Sequence, residues 1–382
     1  MTPEPGSPAP NRRDEFDILR GVLLVLMAVT HLPTRLSLYS SQPFGFVSAA
    51  EGFVFLSAFL VGSTYSRKLA ERGSDYVRTK LWKRAGKLYI AHLALLLFAF
   101  TVVAGIAVLS GRPALRNHLS VYFDTPVWAA IGGPLLLYQP PLLDILPMYI
   151  VFLVLTPLLL SVTARRGWWP VLTLSSLLWL FAQLDGRRLV YGKLATLAGL
   201  AVPIDAFGAF DWFAWQLVWV AGVWFGVRTV RRRSSAGVAP ARRRLPLLLG
   251  AAAATALLFF VWRYHGGFEI DAVGNSSMFD KWHLGPLRVL NFAALAYLVG
   301  HFVLPTLGGL RLRILSMLGR ASLAVFTAHV PFVVLSRGLI IDDTTPLTAL
   351  QEALVLTLTF AAMLFVAWRT GARSTRVGAA AG

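Results

Sequence analysis

The sequence contains no cysteine. That excludes a disulfide framework, a thiolate metal site and a cysteine nucleophile. Charge is also scarce: charged residues make up 14% of the 382, against 56% hydrophobic. A chain so poor in charge reads as a polytopic membrane protein rather than a soluble domain. Acidic residues are the scarcest, 18 against 36 Lys and Arg. No glycine pattern of a phosphate loop or a dinucleotide fold is present. The seven histidines are scattered, and no metal site is expected from them.

What the chain has is a series of membrane-length apolar runs. Ten spans are expected, at 16–37, 44–65, 88–109, 143–163, 168–185, 210–228, 245–263, 285–305, 316–338 and 348–368. Each suffices to cross a bilayer as a helix. The expected fold is an all-α transmembrane bundle forming one domain over 16–370. Short tails flank it at 1–15 and 371–382. The first run is read as a retained span, not a cleaved leader. Residues 127–139 are too short to span and are bounded by Pro126, Pro140 and Pro141. They are expected to be re-entrant or interfacial. A low-complexity linker, RRRSSAGVAPARRR, lies within 229–244. With this layout, Lys and Arg on the N-terminal side outnumber those opposite by more than two to one. The positive-inside rule then places both termini in the cytoplasm. The formal charge of +18 is thus mostly topology, and nucleic-acid binding is not expected.

Three ionisable residues fall inside the first two spans: Arg20, His31 and Glu51. A charge in hydrocarbon is costly and by default marks function. Arg20 and His31 are eleven residues apart, which on a helix returns to within roughly 20° of one direction, about 16 Å along the axis. His31 and Glu51, on sequential helices, are expected at similar depth as an acid–imidazole pair. Each also has a bland reading. Arg20 near a helix end can snorkel to the interface, and a lone His in a bundle is often a structural hydrogen-bonding residue.

The opposite half of the bundle collects further polar groups. Asp144 opens the fourth span, and Trp215 and Gln216 lie early in the sixth. Lys281 and His283 precede the eighth, with Arg288 and Asn291 at its start. In the ninth, Arg320 lies at the N-terminal side and His329 about 13 Å beyond it, repeating the Arg-then-His order of the first span. Trp at such depths also serves simply as an interface anchor.

Arg20 and His31 together form R-x10-H, which resembles the motif of the membrane acyltransferase type 3 superfamily. The text around it resembles more specifically the OpgC family, which succinylates osmoregulated periplasmic glucans. The matching stretches are DEFDILRG, GFVSAAEGFVFLS, LLDILPMYIVFLVLTP, FDWFAWQL, KWHLGPLRVLNFAALAY and LGRASLAVFTAH. They run from Asp14 to His329. The Arg/Ala-rich linker is longer than the family pattern. The resemblance implies ten spans in a bacterial inner membrane, acyl-CoA (succinyl-CoA) from the cytoplasm, and a glucan or related glycan acceptor outside. No permanently bound cofactor is implied.

On that reading Arg20 and Arg320 hold the phosphates of acyl-CoA. His31 is the general base, and Glu51 orients its ring. His329, Asn291, Arg288, Lys281, His283, Asp144, Trp215 and Gln216 are candidates for the oxyanion or the acceptor. The membrane lipids are the remaining partner. The rival reading is a glycan transporter or flippase, because buried polar groups in a bundle also mark transport paths. Against it, no paired Gly/Pro-broken spans repeat in two halves.

Overall fold

The computed structural model describes residues 14–197, 203–234, 245–265, 277–339 and 347–380. Among these the fold is all-helical, with no strand. The expected linker falls largely outside the described residues, as do most of the N-terminal tail and parts of the loops at 198–202 and 266–276.

Helix α1 (Asp14–His31) stops six residues short of its expected end. Pro33 lacks an N–H and disfavours helical geometry at Leu32, so the chain turns there into a short helix, Leu36–Ser40. Helix α2 (Ala49–Phe98) starts where Ser48 and Glu51 form a capping box. It continues through a π-helical turn, Ala99–Val103, to Ser110. The whole run has 62 residues, about 93 Å of helix. That is about three times the hydrocarbon thickness. Gly73, at φ 78° and ψ 177°, breaks it into two arms. The second and third expected spans lie one on each arm.

Helix α3 (Pro126–Gly132) is the short segment that was expected not to span. It is tied to the second arm by Tyr89 Oη donating to the Pro134 carbonyl at 3.0 Å. His92 Nε2 adds a bond to Gly133 O at 3.2 Å. Helices α4 (Ile145–Arg166), α5 (Trp169–Gln183), α6 (Trp212–Ser234) and α7 (Leu245–His265) follow. Helix α8 (Pro286–Leu298) runs on through a π-helical turn to Gly308. Helices α9 (Arg313–Arg320) and α10 (Ser322–Ser336) meet at 90°, and α11 (Ala349–Ala380) closes the described chain.

Among the described residues, six helices are long and apolar enough to cross a membrane, or seven if α9 and α10 are one broken span. Three features separate this from the ten expected. Helix α1 carries Asp14, Glu15, Asp17 and Arg20, too much charge for a plain span. Helix α5 has 15 residues, about 22 Å of helix against a core of roughly 30 Å. The two spans on α2 are one continuous run.

Small residues let the central helices touch backbone to backbone, as in other membrane bundles. Where α6 crosses α2, a Cβ at Gly226 would stand 2.2 Å from the Phe59 carbonyl. Where α1 crosses α9, a Cβ at Gly319 would meet the Asp17 carbonyl at 1.8 Å. The buried core runs through α1, α2, α4, α6 and α10 and includes Leu24, Val54, Leu153, Trp215 and Val325. Helices α7, α8 and α11 pack around it with most of their surface outward.

Candidate functional site

Helix α1 joins two cavities. The larger, about 1450 Å³, lies at its Arg20 end. Arg20, Arg67, Lys68, Arg84, Lys87 and Arg320 line it, against Asp17 and Glu71. The excess of cations suits a polyanion. Arg320 is partly committed: its Nη2 lies 3.0 Å from Asp14 Oδ1 and its Nε 3.7 Å from Asp17 Oδ2. Arg84 and Lys87 were read from sequence only as topology signals. The helical arm of α2 carries them into the cavity, a placement that composition alone does not reveal.

The second cavity, about 920 Å³, lies at the His31 end. His31, Asp144, Lys281 and His283 line it, so four of the sequence candidates are brought together. Arg187, Arg188 and Arg337 join them without having been singled out. Arg187 is spent on the fold, donating to the carbonyl of Gly208 at 2.5 Å and to that of Ile204 at 3.4 Å. Asp144 accepts from the Ala209 N–H at 3.1 Å. Among the described residues, the ring of His31 takes no hydrogen-bond partner. It faces the ring of His329 at 6.4 Å with 12° between the planes. His329 is buried behind it.

The expected His31–Glu51 pair does not form. Glu51 Oε1 takes Arg288 Nε at 2.5 Å. Glu51 Oε2 takes the Ser48 N–H at 3.1 Å and its hydroxyl at 2.5 Å. Both members of the Glu51–Arg288 pair are essentially without solvent exposure. The reason is local: a glutamate at the third position of a capped helix reaches back to its own N-cap, away from the helix before it. The pattern Ser48-x-x-Glu51 was a readable signal for this. Asn291 belongs to the same brace, accepting from the Phe46 N–H at 2.9 Å. Glu51, Arg288 and Asn291 therefore fasten the segment before α2 to α8. None of the three lines either of these two cavities.

Two further candidates are also spent on the fold. Trp215 is fully buried, and its Nε1 donates to the Trp282 carbonyl at 3.1 Å. Gln216 donates to the Ser175 carbonyl at 2.7 Å and accepts from its hydroxyl at 2.7 Å. Neither lines either of the two cavities.

The segment 277–285 forms one wall of the second cavity. His283 Nδ1 donates to Asp280, and its Nε2 lies 3.8 Å from Asp211 Oδ2. The bond to Asp280 raises the His283 pKa. Burial opposes this, both carboxylates reinforce it, and Arg187 opposes it. The pKa of Lys281 is lowered chiefly by burial; Glu51 and Asp144 resist the fall, and Arg288 adds to it.

A family model described as OpgC protein matches residues 12–375, nearly the whole chain. No curated protein and no solved structure gives a significant match.

Proposed function

The chain belongs to the OpgC family, and from that premise we propose that it is an inner-membrane O-acyltransferase. It moves an acyl group, succinyl by the family's character, from cytoplasmic acyl-CoA to a hydroxyl of a periplasmic glucan or related glycan. One observation carries the reading. Helix α1 presents Arg20 to a basic cavity and His31 to a separate cavity at the other end.

In this scheme the basic cavity takes the nucleotide of the donor. Arg20, Arg84 and Lys87 engage its phosphates, with planar guanidinium groups suited to bidentate contact. The pantetheine arm runs along α1 over the roughly 16 Å from Arg20 to His31. The glycan hydroxyl enters the cavity of Lys281, His283 and Asp144. His31 takes its proton as the oxygen attacks the thioester carbon. The carbon–sulfur bond then breaks, the ester forms, and the CoA thiolate leaves and collects the proton. Lys281 stabilises the oxyanion. Glu51 braces the scaffold through Arg288.

The test is purified protein in lipid with succinyl-CoA and a glucan. Release of free CoA that depends on glucan, with ester-linked succinate on the product, supports the reading. Passage of glucan across the bilayer without consumption of CoA replaces it with the transporter reading.

A further inference from the structure

The two cavities are separate, and their linings overlap at only two residues, Ile145 and Phe326. Ile145 opens α4, and Phe326 lies one turn before His329 on α10. Both are almost fully buried, at 6% and 5% exposure. The Phe326 ring packs edge-on against His329, with centroids 5.1 Å apart and 78° between planes. His329 in turn faces His31. Two spaces that each carry several cations therefore approach each other inside the bundle, and the same two apolar residues border both.

That is an unusual place for a membrane protein to be thin. A bilayer resists protons and ions through about 30 Å of hydrocarbon. Here the residues that border both spaces are Ile145 and Phe326. Hydrophobic constrictions of this kind close a path by excluding water, not by filling it with charge. A slender, uncharged thioester arm can push such side chains aside, whereas a hydrated ion must shed its water first. We propose that Phe326, backed by Ile145, is a hydrophobic gate. It passes the reactive arm from the basic cavity to His31 and seals the bundle against water and protons at all other times. The arm's passage rests on the acyl-transfer reading; the seal does not.

Two consequences follow. Opening the gate makes the bundle leak. It also lets water reach the thioester carbon in place of the glycan hydroxyl. Water oxygen then bonds to that carbon, the carbon–sulfur bond breaks, and free acid and CoA are released.

The decisive experiment places full-length protein in vesicles of neutral and anionic phospholipid with a trapped pH-sensitive dye. An external acid step reads proton entry. Wild type is expected to hold the gradient, Phe326→Ala to collapse it, and Phe326→Leu, which keeps apolar bulk, to hold it. Ile145→Ala gives the same readout if Phe326→Ala fails to assemble. Vesicles that stay tight with the partition removed overturn the proposal. A parallel assay follows CoA release without glucan. In Phe326→Ala it is expected to approach the rate seen with glucan. If no protein releases CoA under any condition, the acyl-transfer reading falls while proton entry still decides the gate.

Discussion

A residue's partners decide what its loss does, and here they separate the candidates. His31 lines the second cavity with no hydrogen-bond partner among the described residues. His31→Ala is expected to assemble normally and to lose about 10²–10⁴-fold in turnover, the usual scale for a lost general base. Arg20 lies at the other end of the same helix, in the basic cavity. Arg20→Ala is expected to raise the KM for acyl-CoA more than it lowers kcat. Collapse of kcat at unchanged KM would remove Arg20 from the phosphates. Glu51 behaves differently because it holds Arg288 and caps α2. Glu51→Gln strands a buried guanidinium, and breaking a buried ion pair from one side costs about 3–5 kcal/mol. The expected result is a lower melting temperature in detergent with an unshifted pH–rate profile. A shifted profile at full stability would return Glu51 to the catalytic centre. The Arg20–His31 relation was legible in the sequence because helical spacing alone fixes it. The Glu51–Arg288 bond was not, since its partners are 237 positions apart and only packing brings them together. The capping box beside it was legible, and reading Ser48 with Glu51 would have withdrawn the glutamate from His31.

At the scale of elements, apolar runs revealed where helices form but not where they stop or join. Pro33 ended α1 early, a local rule that a hydropathy window averages away. The helical link across 66–87 was hidden because it is polar and falls between two expected spans; only Gly73 interrupts it. The segment 277–285 is the element expected to respond to pH. The His283 pKa is raised in the folded protein, first by its bond to Asp280. A raised pKa means the folded state holds the proton more tightly than the unfolded chain. The stabilisation is therefore complete below the ordinary histidine value of 6.5 and is lost as pH rises through the higher folded value. Hydrogen-exchange protection across 277–285, corrected for the intrinsic rate of each amide at that pH, is expected to be high in mild acid and to fall as pH rises through the folded value. His283→Gln is expected to abolish that dependence. Protection independent of pH in the native protein would show that the contacts to Asp280 and Asp211 do not hold this wall.

For the whole molecule, orientation is the property most worth measuring. The absence of native cysteine makes every introduced thiol unique. Ser74→Cys and Ser110→Cys sit at opposite ends of the second arm of α2, and both positions are exposed. An impermeant maleimide is expected to label Ser74→Cys only from the cytoplasmic face and Ser110→Cys only from the opposite face. Labelling of both from one face would overturn the crossing of this arm. The arm's length has a further consequence. From Ser74 to Ser110 it measures about 55 Å along the axis. Roughly 30 Å of hydrocarbon accounts for the stretch that ends at Ser110, where Ile90, Leu97, Val108 and Leu109 face outward. The rest, about 24 Å long, buries Val77, Leu81 and Ala85 in the core and turns Arg78, Lys80, Lys83 and Lys87 outward. It presents a positive face beside the basic cavity, which Arg84 and Lys87 line. On the acyl-transfer reading, an anionic donor is expected to feel that field as it approaches the cavity. Water also carries salt, which confines that field to about 8 Å at physiological ionic strength. On the acyl-transfer reading, donor capture is therefore expected to slow as cytoplasmic salt rises, while the step at the far end of α1 is expected to be indifferent to it.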